Sequence, residues 1–223
     1  MTRRVAGLAA GLAAGLALEA GLAAQAAPAP GVAQVSFARR FPGSVPEFEQ
    51  VVVGEDGAAV VTIEEHAGDG NQQVRFAASA AGVEKIFQAA GALHEFQKPA
   101  LQAKARVAFL GDKRLVWSGG GRRFAQRYTY TTVPAAAALE RRMERIATAA
   151  EDVVRLRRAL RYDRLGALAA VRQARRDWRQ HRLAEAQMLL PVLKRAAAAA
   201  GLMQAARREA AALAAGIAAG RLH

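Results

Sequence analysis

The chain changes its sequence pattern within residues 124–146, which read FAQRYTYTTVPAAAALERRMERI. Before Pro134, the pattern has a period of two residues, so that Tyr128 and Tyr130 fall on one face of a predicted β-strand. After Pro134, apolar residues recur at steps of three and four, which predicts a long amphipathic helix from about 135 to 160. The sequence therefore predicts an α+β fold with a β-rich half followed by a helical half.

In the β-rich half, glycine and proline turns separate short apolar runs. The Asp-Gly pair in Gly54–Gly57 accepts the positive φ of a hairpin turn. Ser79 is suited to cap a helix that runs to about Phe96. The alternating pattern predicts strands at 32–39, 48–53, 59–65, 72–78, 105–110, 115–117 and 124–131. We expect an antiparallel β-sheet with one packed helix.

In the helical half, the sequence pattern predicts an Ala/Arg-rich antiparallel helical bundle. A second helix is expected from Asp163, as N-cap, to Arg179, with Leu165 among its apolar positions. Pro191 is placed where a further helix can begin, and a last helix carries Leu213 on its apolar face. Short connections between these helices favour antiparallel neighbours.

Residues 1–26 have the pattern of a bacterial signal peptide. Arg3 and Arg4 precede the apolar run Val5–Leu18, and Ala24-Gln25-Ala26 offers the small residues that a signal peptidase accepts. The alternative is an uncleaved membrane anchor, although Glu19 interrupts the apolar run. We expect a periplasmic or secreted protein, with Sec and twin-arginine export both open. The predicted divisions are 1–26 signal peptide, 27–31 linker, 32–133 β-rich domain with one helix, and 134–223 helical domain.

The composition excludes several classes of chemistry. The chain has no cysteine, so disulfides, thiolate zinc sites, iron–sulfur clusters and cysteine nucleophiles are excluded. Lysine and arginine number 32 against 19 acids, and the net charge is +13. Arginine and alanine richness also follows from a GC-rich genome, so the total charge alone does not indicate a partner.

Residues 140–182 hold thirteen arginines and six acids. One interpretation is an anion-binding face on two neighbouring helices, with nucleic acid unlikely as its ligand because the chain is expected outside the cytoplasm. The alternative is a set of solvated helix faces in an arginine-biased chain. The residues of the hypothetical face are Arg141, Arg142, Arg145, Arg155, Arg158, Arg172, Arg175, Arg176 and Arg179.

No recognisable catalytic, cofactor-binding or metal-binding motif is present in the sequence. The histidines are scattered and form no HExxH pair, and no serine lies in a Gly-x-Ser-x-Gly elbow. Glu47, Glu49, Glu64 and Glu65 lie on or beside predicted strands, where carboxylate pairs for glycoside chemistry are conceivable. We expect no cofactor, no metal and no enzymatic activity.

Three segments resemble a pattern in uncharacterised exported bacterial proteins. They are Tyr162-Asp163-Arg164-Leu165-Gly166, Met188-Leu189-Leu190-Pro191-Val192-Leu193 and, in the β-rich half, Val107-Ala108-Phe109-Leu110-Gly111. The resemblance spans most of the chain after residue 26. It implies export and the same order of a β-rich and a helical half, and it carries no functional residue.

These observations favour a non-catalytic binding or interaction module in the periplasm or outside the cell. Its expected partner is another exported protein or an anionic envelope component, with membrane attachment only through an uncleaved signal. The alternatives are an inhibitor or chaperone-like partner of an exported protein, and a hydrolase of unrecognised design. A large exposed apolar area would favour the former, and a deep pocket with converging ionisable groups the latter.

Overall fold

The computed structural model describes residues 31–68, 70–105 and 107–220 and contains a six-stranded sheet with helices against one face. The strands lie in the order β4-β3-β2-β1-β5-β6, and every neighbouring pair is antiparallel. Their bounds are β1 Gln34–Arg40, β2 Phe48–Gly54, β3 Ala58–Glu64, β4 Gln72–Ala77, β5 Asp112–Gly119 and β6 Arg122–Tyr128. The predicted α+β class is confirmed. The predicted signal peptide and all of the linker but Gly31 lie outside the described residues.

The inner face of the sheet is apolar at its centre. Phe37 on β1 is fully buried and is paired in register with Val51 on β2 and Leu115 on β5. Successive side chains alternate between the two faces, so these residues point toward the helices. The β2–β3 turn contains Gly57 at φ +84°, a conformation that favours glycine, and its Asp56 carboxylate accepts the N–H of Ala58.

The predicted strand at 105–110 is wrong, because the part of this segment that the structure describes forms no strand. β5 already has β1 on one side and β6 on the other, so a further strand could join the sheet only at the outer edge of β4 or β6. The preceding residues reach the end of β6 through single contacts, such as the 2.9 Å hydrogen bond from the N–H of Ala103 to the carbonyl of Tyr130. Val107, Phe109 and Leu110 are consequently exposed.

Five α-helices complete the described fold: α1 Ala80–Ala92, α2 Pro134–Tyr162, α3 Ala167–Arg179, α4 Leu190–Ala198 and α5 Gln204–Ala218. Ser79 caps α1 as predicted, its hydroxyl accepting the N–H of Gly82 at 3.1 Å. The helix ends before the predicted Phe96, because His94, Glu95 and Phe96 have positive φ and form a 3-10 turn. α2 begins with Pro134, whose missing N–H costs nothing in the first turn.

The start of α3 differs from the sequence prediction. Asp163 does not cap a helix that begins beside it; its carboxylate accepts the N–H of Gly166 at 2.9 Å, and α3 begins at Ala167. Leu165 therefore lies in the turn before the helix and is 80% exposed, although the spacing placed it on the apolar face. The turn uses the Asp163 carboxylate to satisfy a free N–H at the helix start.

α2 connects the two halves of the chain. Its apolar residues Leu139, Met143 and Ile146 are buried, and it contacts the sheet, α1, α3 and α4. α5 packs on α3 and α4 to complete the bundle. The buried apolar residues form one continuous core that runs from the sheet through α2 into the bundle. No helix among the described residues combines the length and the apolar character needed to cross a membrane.

Candidate functional site

A groove of about 1070 Å³ opens where the C-terminal ends of α2 and α4 meet. Four arginines stand around it: Arg157, Arg161, Arg164 and Arg195. The remaining lining is almost entirely apolar and consists of Leu160, Pro191, Ala199, Ala200, Gly201 and Leu202. We call this feature the arginine groove.

Helical spacing and one close contact gather these arginines. Arg157 and Arg161 are four residues apart on α2 and share a face of the helix, while Arg195 comes from the last turn of α4. Arg164 lies in the α2–α3 turn and packs over Gly201 in the α4–α5 turn. A Cβ at Gly201 would stand 2.8 Å from the Arg164 Nη1 atom, so the end of the Arg164 side chain packs closely over this glycine.

The charge of the arginine groove is not balanced by acids. Among the residues that the structure describes, no carboxylate oxygen lies within 4.0 Å of a nitrogen of Arg157, Arg161, Arg164 or Arg195. The neighbouring Asp163 carboxylate accepts the N–H of Gly166. The C-terminal ends of α2 and α4 add partial negative charge, and the N-terminal ends of α3 and α5 beside them add partial positive charge of similar size. The groove therefore carries several uncompensated positive charges.

Two of the arginines repel one another. Burial lowers the pKa of Arg157, and the positive charge of Arg195 lowers it further. Arg157 has one hydrogen bond, from Nη1 to the carbonyl of Gln73 at 3.3 Å. Arg161 lies 5.1 Å from the centre of the Tyr162 ring, a cation–π contact. These contacts leave most guanidinium N–H groups free to bind an anion.

The arginines predicted from the sequence have a different environment. Arg142, Arg155, Arg158, Arg172 and Arg175 each form an ion pair with an acid of the chain. Arg145 donates to the carbonyl of Leu183, and Arg176 to the side-chain oxygen of Gln173. Arg141 and Arg179 are exposed. The nine residues are divided between α2 and α3, and none of them lines the arginine groove.

Long-range pairing explains this outcome. Arg158 pairs with Glu65 at 2.8 Å, and Arg172 and Arg175 share Glu209 at 3.0 and 3.9 Å. These acids are far away in sequence, so counting charges within residues 140–182 cannot identify them. The sequence offers no local signal for the groove either, because Arg158 and Arg172 lack an acid three or four residues away just as the four groove arginines do.

A second group of ionisable residues lies between the sheet and α2. This ionic cluster contains Arg39, Glu49, Lys113, Glu140 and Glu144. Arg39 Nε is 3.1 Å from a Glu49 oxygen, and Arg39 Nη1 is 3.6 Å from a Glu144 oxygen. Lys113 Nζ pairs with Glu140 and is 4.0 Å from Glu144. Three carboxylates thus face two cations, which ties α2 to β1, β2 and β5.

The surplus of carboxylates in the ionic cluster favours a retained proton. Burial raises the pKa of Glu49 to about 7, and Glu144 raises it while Arg39 opposes the shift. Burial and the charge of Glu140 raise the pKa of Glu144. Tyr128 is buried beside these groups, and desolvation raises the pKa of its hydroxyl. The residues act as a packed ionic contact between sheet and helix.

Two further acids are buried in the helical half. Asp152 is buried and pairs with Arg155, and burial raises the pKa of Asp152 to about 7. Glu185 is buried and accepts the N–H and the hydroxyl of Ser79 at 2.7 and 3.0 Å. Arg142 Nη2 lies 3.5 Å from the same Glu185 carboxylate. The carboxylate therefore joins the start of α1 to α2.

The carboxylates considered for glycoside chemistry have separate contacts. Glu47 accepts the N–H groups of Gly43 and Ala67, which lowers its pKa. Glu49 belongs to the ionic cluster, Glu64 pairs with Arg40 at 3.4 Å, and Glu65 pairs with Arg158. No cluster of three or more histidine, aspartate or glutamate residues suited to a metal ion lies in residues 31–68, 70–105 and 107–220.

The arginine groove combines the features of a binding site. It is concave, its floor is apolar, and its charge lacks a counterion among the described residues. The ionic cluster differs, because each of its carboxylates already lies beside a cation of the chain. No protein-family model and no curated protein sequence matches the chain.

Proposed function

We propose that the chain is an exported, non-catalytic binding protein that acts in the periplasm or outside the cell. Its ligand is an anionic component of the bacterial envelope, held in the arginine groove. The signal-peptide pattern of residues 1–26 supports this compartment. The observation that carries the binding function is the gathering of four carboxylate-free arginines around one apolar groove.

The chemistry of the groove selects the ligand class. Guanidinium groups bind phosphate and carboxylate oxygens with pairs of parallel hydrogen bonds. An anion bound in the groove near Arg157 and Arg195 would offset their mutual repulsion and raise the lowered pKa of Arg157. The apolar lining, which includes Leu160, Pro191 and Leu202, suits a hydrocarbon part of the same molecule. The ligand is therefore an amphiphile with a phosphate or carboxylate group.

Calorimetry with a soluble amphiphile tests this function. Dihexanoyl phosphatidylglycerol, below its micelle concentration, is the anionic probe, and dihexanoyl phosphatidylcholine is the probe without net charge. We expect binding of the first and at least about tenfold weaker binding of the second, since its choline cation offsets the phosphate charge and is repelled by the groove arginines. Added salt should weaken the binding.

Matched variants locate the binding. R157Q/R195Q removes two charges from the groove, and R141Q/R179Q removes two exposed charges elsewhere on the helices. The first variant should bind the anionic probe about tenfold or more weakly than the unaltered chain, and the second should bind it with unchanged affinity. Equal affinity of both variants, or no binding of the anionic probe, would overturn the proposal. Recovery of the chain with Met1 intact from the native cytosol would overturn the compartment.

A second candidate function is that of a partner of another exported protein. It is favoured by the exposed apolar segment with Val107, Phe109 and Leu110, where Phe109 packs edge-to-face against Phe41 at 5.8 Å. A photoreactive phenylalanine analogue at 109, in the native host, should then form one defined protein adduct. The same analogue at Arg179 is the control, and equal labelling at both positions would refute this role.

A further inference from the structure

We infer that the end of the helical bundle around the arginine groove docks on the surface of an anionic lipid bilayer. Tyr162, Leu165 and Met203 enter the interfacial layer, and the groove arginines bind lipid phosphates. This inference rests on the proposed anion-binding function and identifies the source of the anion as a membrane.

Exposed apolar side chains flank the arginine groove. Leu165 is 80% and Tyr162 73% exposed, which makes them the two most exposed large hydrophobic residues of the described chain. Met203, in the turn after the groove residue Leu202, is 44% exposed. Tyr162 and Leu165 stand directly beside Arg161 and Arg164 in the sequence. Apolar and cationic side chains therefore lie together at one end of the bundle, with the Asp163 carboxylate among them bound to the N–H of Gly166.

The two turns that carry these residues are in contact. Arg164 of the α2–α3 turn packs over Gly201 of the α4–α5 turn. Tyr162 and Leu165 lie in or beside the first turn, and Met203 follows Gly201 by two residues, so all three belong to one end of the bundle. The side chains of these three residues lie outside the hydrophobic core. Their exposure is unexplained by the packing of the chain.

This combination fits a bilayer surface better than a free ion in water. Tyrosine favours the membrane–water interface, because its ring is apolar and its hydroxyl is polar. Leucine and methionine gain by leaving water for the acyl boundary. Each arginine near an anionic leaflet adds electrostatic attraction that reaches about a Debye length. A soluble anion would use the arginines and leave the three apolar side chains in water.

Vesicle sedimentation tests the inference on the full chain. The vesicles are phosphatidylcholine alone, or phosphatidylcholine with about one-third phosphatidylglycerol. We expect about tenfold or stronger binding to the anionic vesicles. Because every variant carries the same residues 1–26, any contribution of that segment is common to all and does not affect the comparison.

Two groups of variants separate the apolar and the charged contributions. The variant Y162S/L165S/M203S should bind anionic vesicles about tenfold or more weakly than the unaltered chain. Its affinity for dihexanoyl phosphatidylglycerol should be unchanged. The variant R157Q/R161Q/R164Q/R195Q should lose binding both to anionic vesicles and to dihexanoyl phosphatidylglycerol. V45S changes an exposed apolar residue in a loop of the β-rich half and should alter neither. Unchanged melting temperatures establish that the variants are folded.

The outcomes distinguish failure of this inference from failure of the proposed function. Binding of the soluble probe without binding of anionic vesicles overturns the membrane inference and leaves the proposed function intact. If the unaltered chain binds neither the soluble probe nor the anionic vesicles, the membrane inference and the proposed function are both overturned. Undiminished vesicle binding by Y162S/L165S/M203S also overturns the inference. So does concentration-dependent self-association that these three substitutions abolish, because the exposed side chains would then serve a contact between copies.

Discussion

Substitution of Glu185 by alanine should destabilise the chain strongly, although Glu185 lies outside any helix or strand interior. Its carboxylate is buried and accepts the N–H and hydroxyl of Ser79, with Arg142 beside it. Alanine would leave those donors without their acceptor and the Arg142 charge without its partner. Loss of one member of a buried ion pair costs about 3–5 kcal/mol, and we expect a loss in that range for Glu185→Ala.

Two comparisons separate the ionic contribution from the backbone contribution. Glu185 has φ 55°, a left-handed conformation that costs a residue with a Cβ about 1 kcal/mol. Glu185→Gly should therefore lose about 1 kcal/mol less than Glu185→Ala. Glu84 is an exposed acid on α1 that contacts Gln88, and Glu84→Ala should change the free energy of unfolding by no more than about 0.5 kcal/mol.

Urea unfolding followed by tryptophan fluorescence is a suitable assay. Trp117 lies in the sheet and Trp178 in the bundle, so the Trp178→Phe and Trp117→Phe backgrounds report on each in turn, and agreement of their transitions checks that unfolding is a single step. A loss below about 1 kcal/mol for Glu185→Ala would refute the reasoning, because it would mean that the contacts with Ser79 and Arg142 add little to the folded state. A double-mutant cycle with Ser79→Ala would then measure the hydroxyl contact alone.

Three further predictions concern stability. Burial raises the pKa of Glu49, Glu151 and Asp152 to about 7, so the folded chain keeps protons that the unfolded chain releases near the ordinary values of 4.5 and 3.8. The free energy of unfolding should therefore fall as pH rises from about 4 to about 7, and Glu49→Gln should flatten this dependence in urea titrations. Gly82→Ala should destabilise α1, because the new Cβ would stand 2.1 Å from a Glu185 oxygen. The control Gly91→Ala places its Cβ where no atom lies within 4 Å, so it should be neutral or stabilise the chain by up to about 1 kcal/mol. Equal effects of the two substitutions on the melting temperature would contradict this prediction. Gln126→Ala should cost about 2–3 kcal/mol in urea unfolding, since the Gln126 amide accepts the N–H of Leu101 and donates to the carbonyls of Phe96 and Pro99; a change within the error of measurement would argue against this contact as the anchor of residues 96–101.

Local pattern was sufficient for most of the secondary structure. The Asp-Gly turn before β3, the Ser79 cap and Pro134 at the start of α2 act within a few residues, so their effects follow from the sequence alone. The segment 105–110 shows where this reasoning fails. Its apolar residues suit a strand, but a strand also needs a ladder of hydrogen bonds to a neighbour, and the residues before this segment reach the end of β6 through single hydrogen bonds such as that from Ala103 to Tyr130.

The sequence by itself determined the α+β order of elements, the absence of cysteine chemistry and the excess of arginine, because composition and short-range periodicity carry that information. Only the tertiary structure decided which arginines are neutralised. Arg158 and Arg172 pair with Glu65 and Glu209, which are far away in the sequence, whereas Arg157 and Arg195 come from different helices and line one groove. Charge compensation depends on distance in space, which falls to a few ångströms between residues that the sequence separates widely.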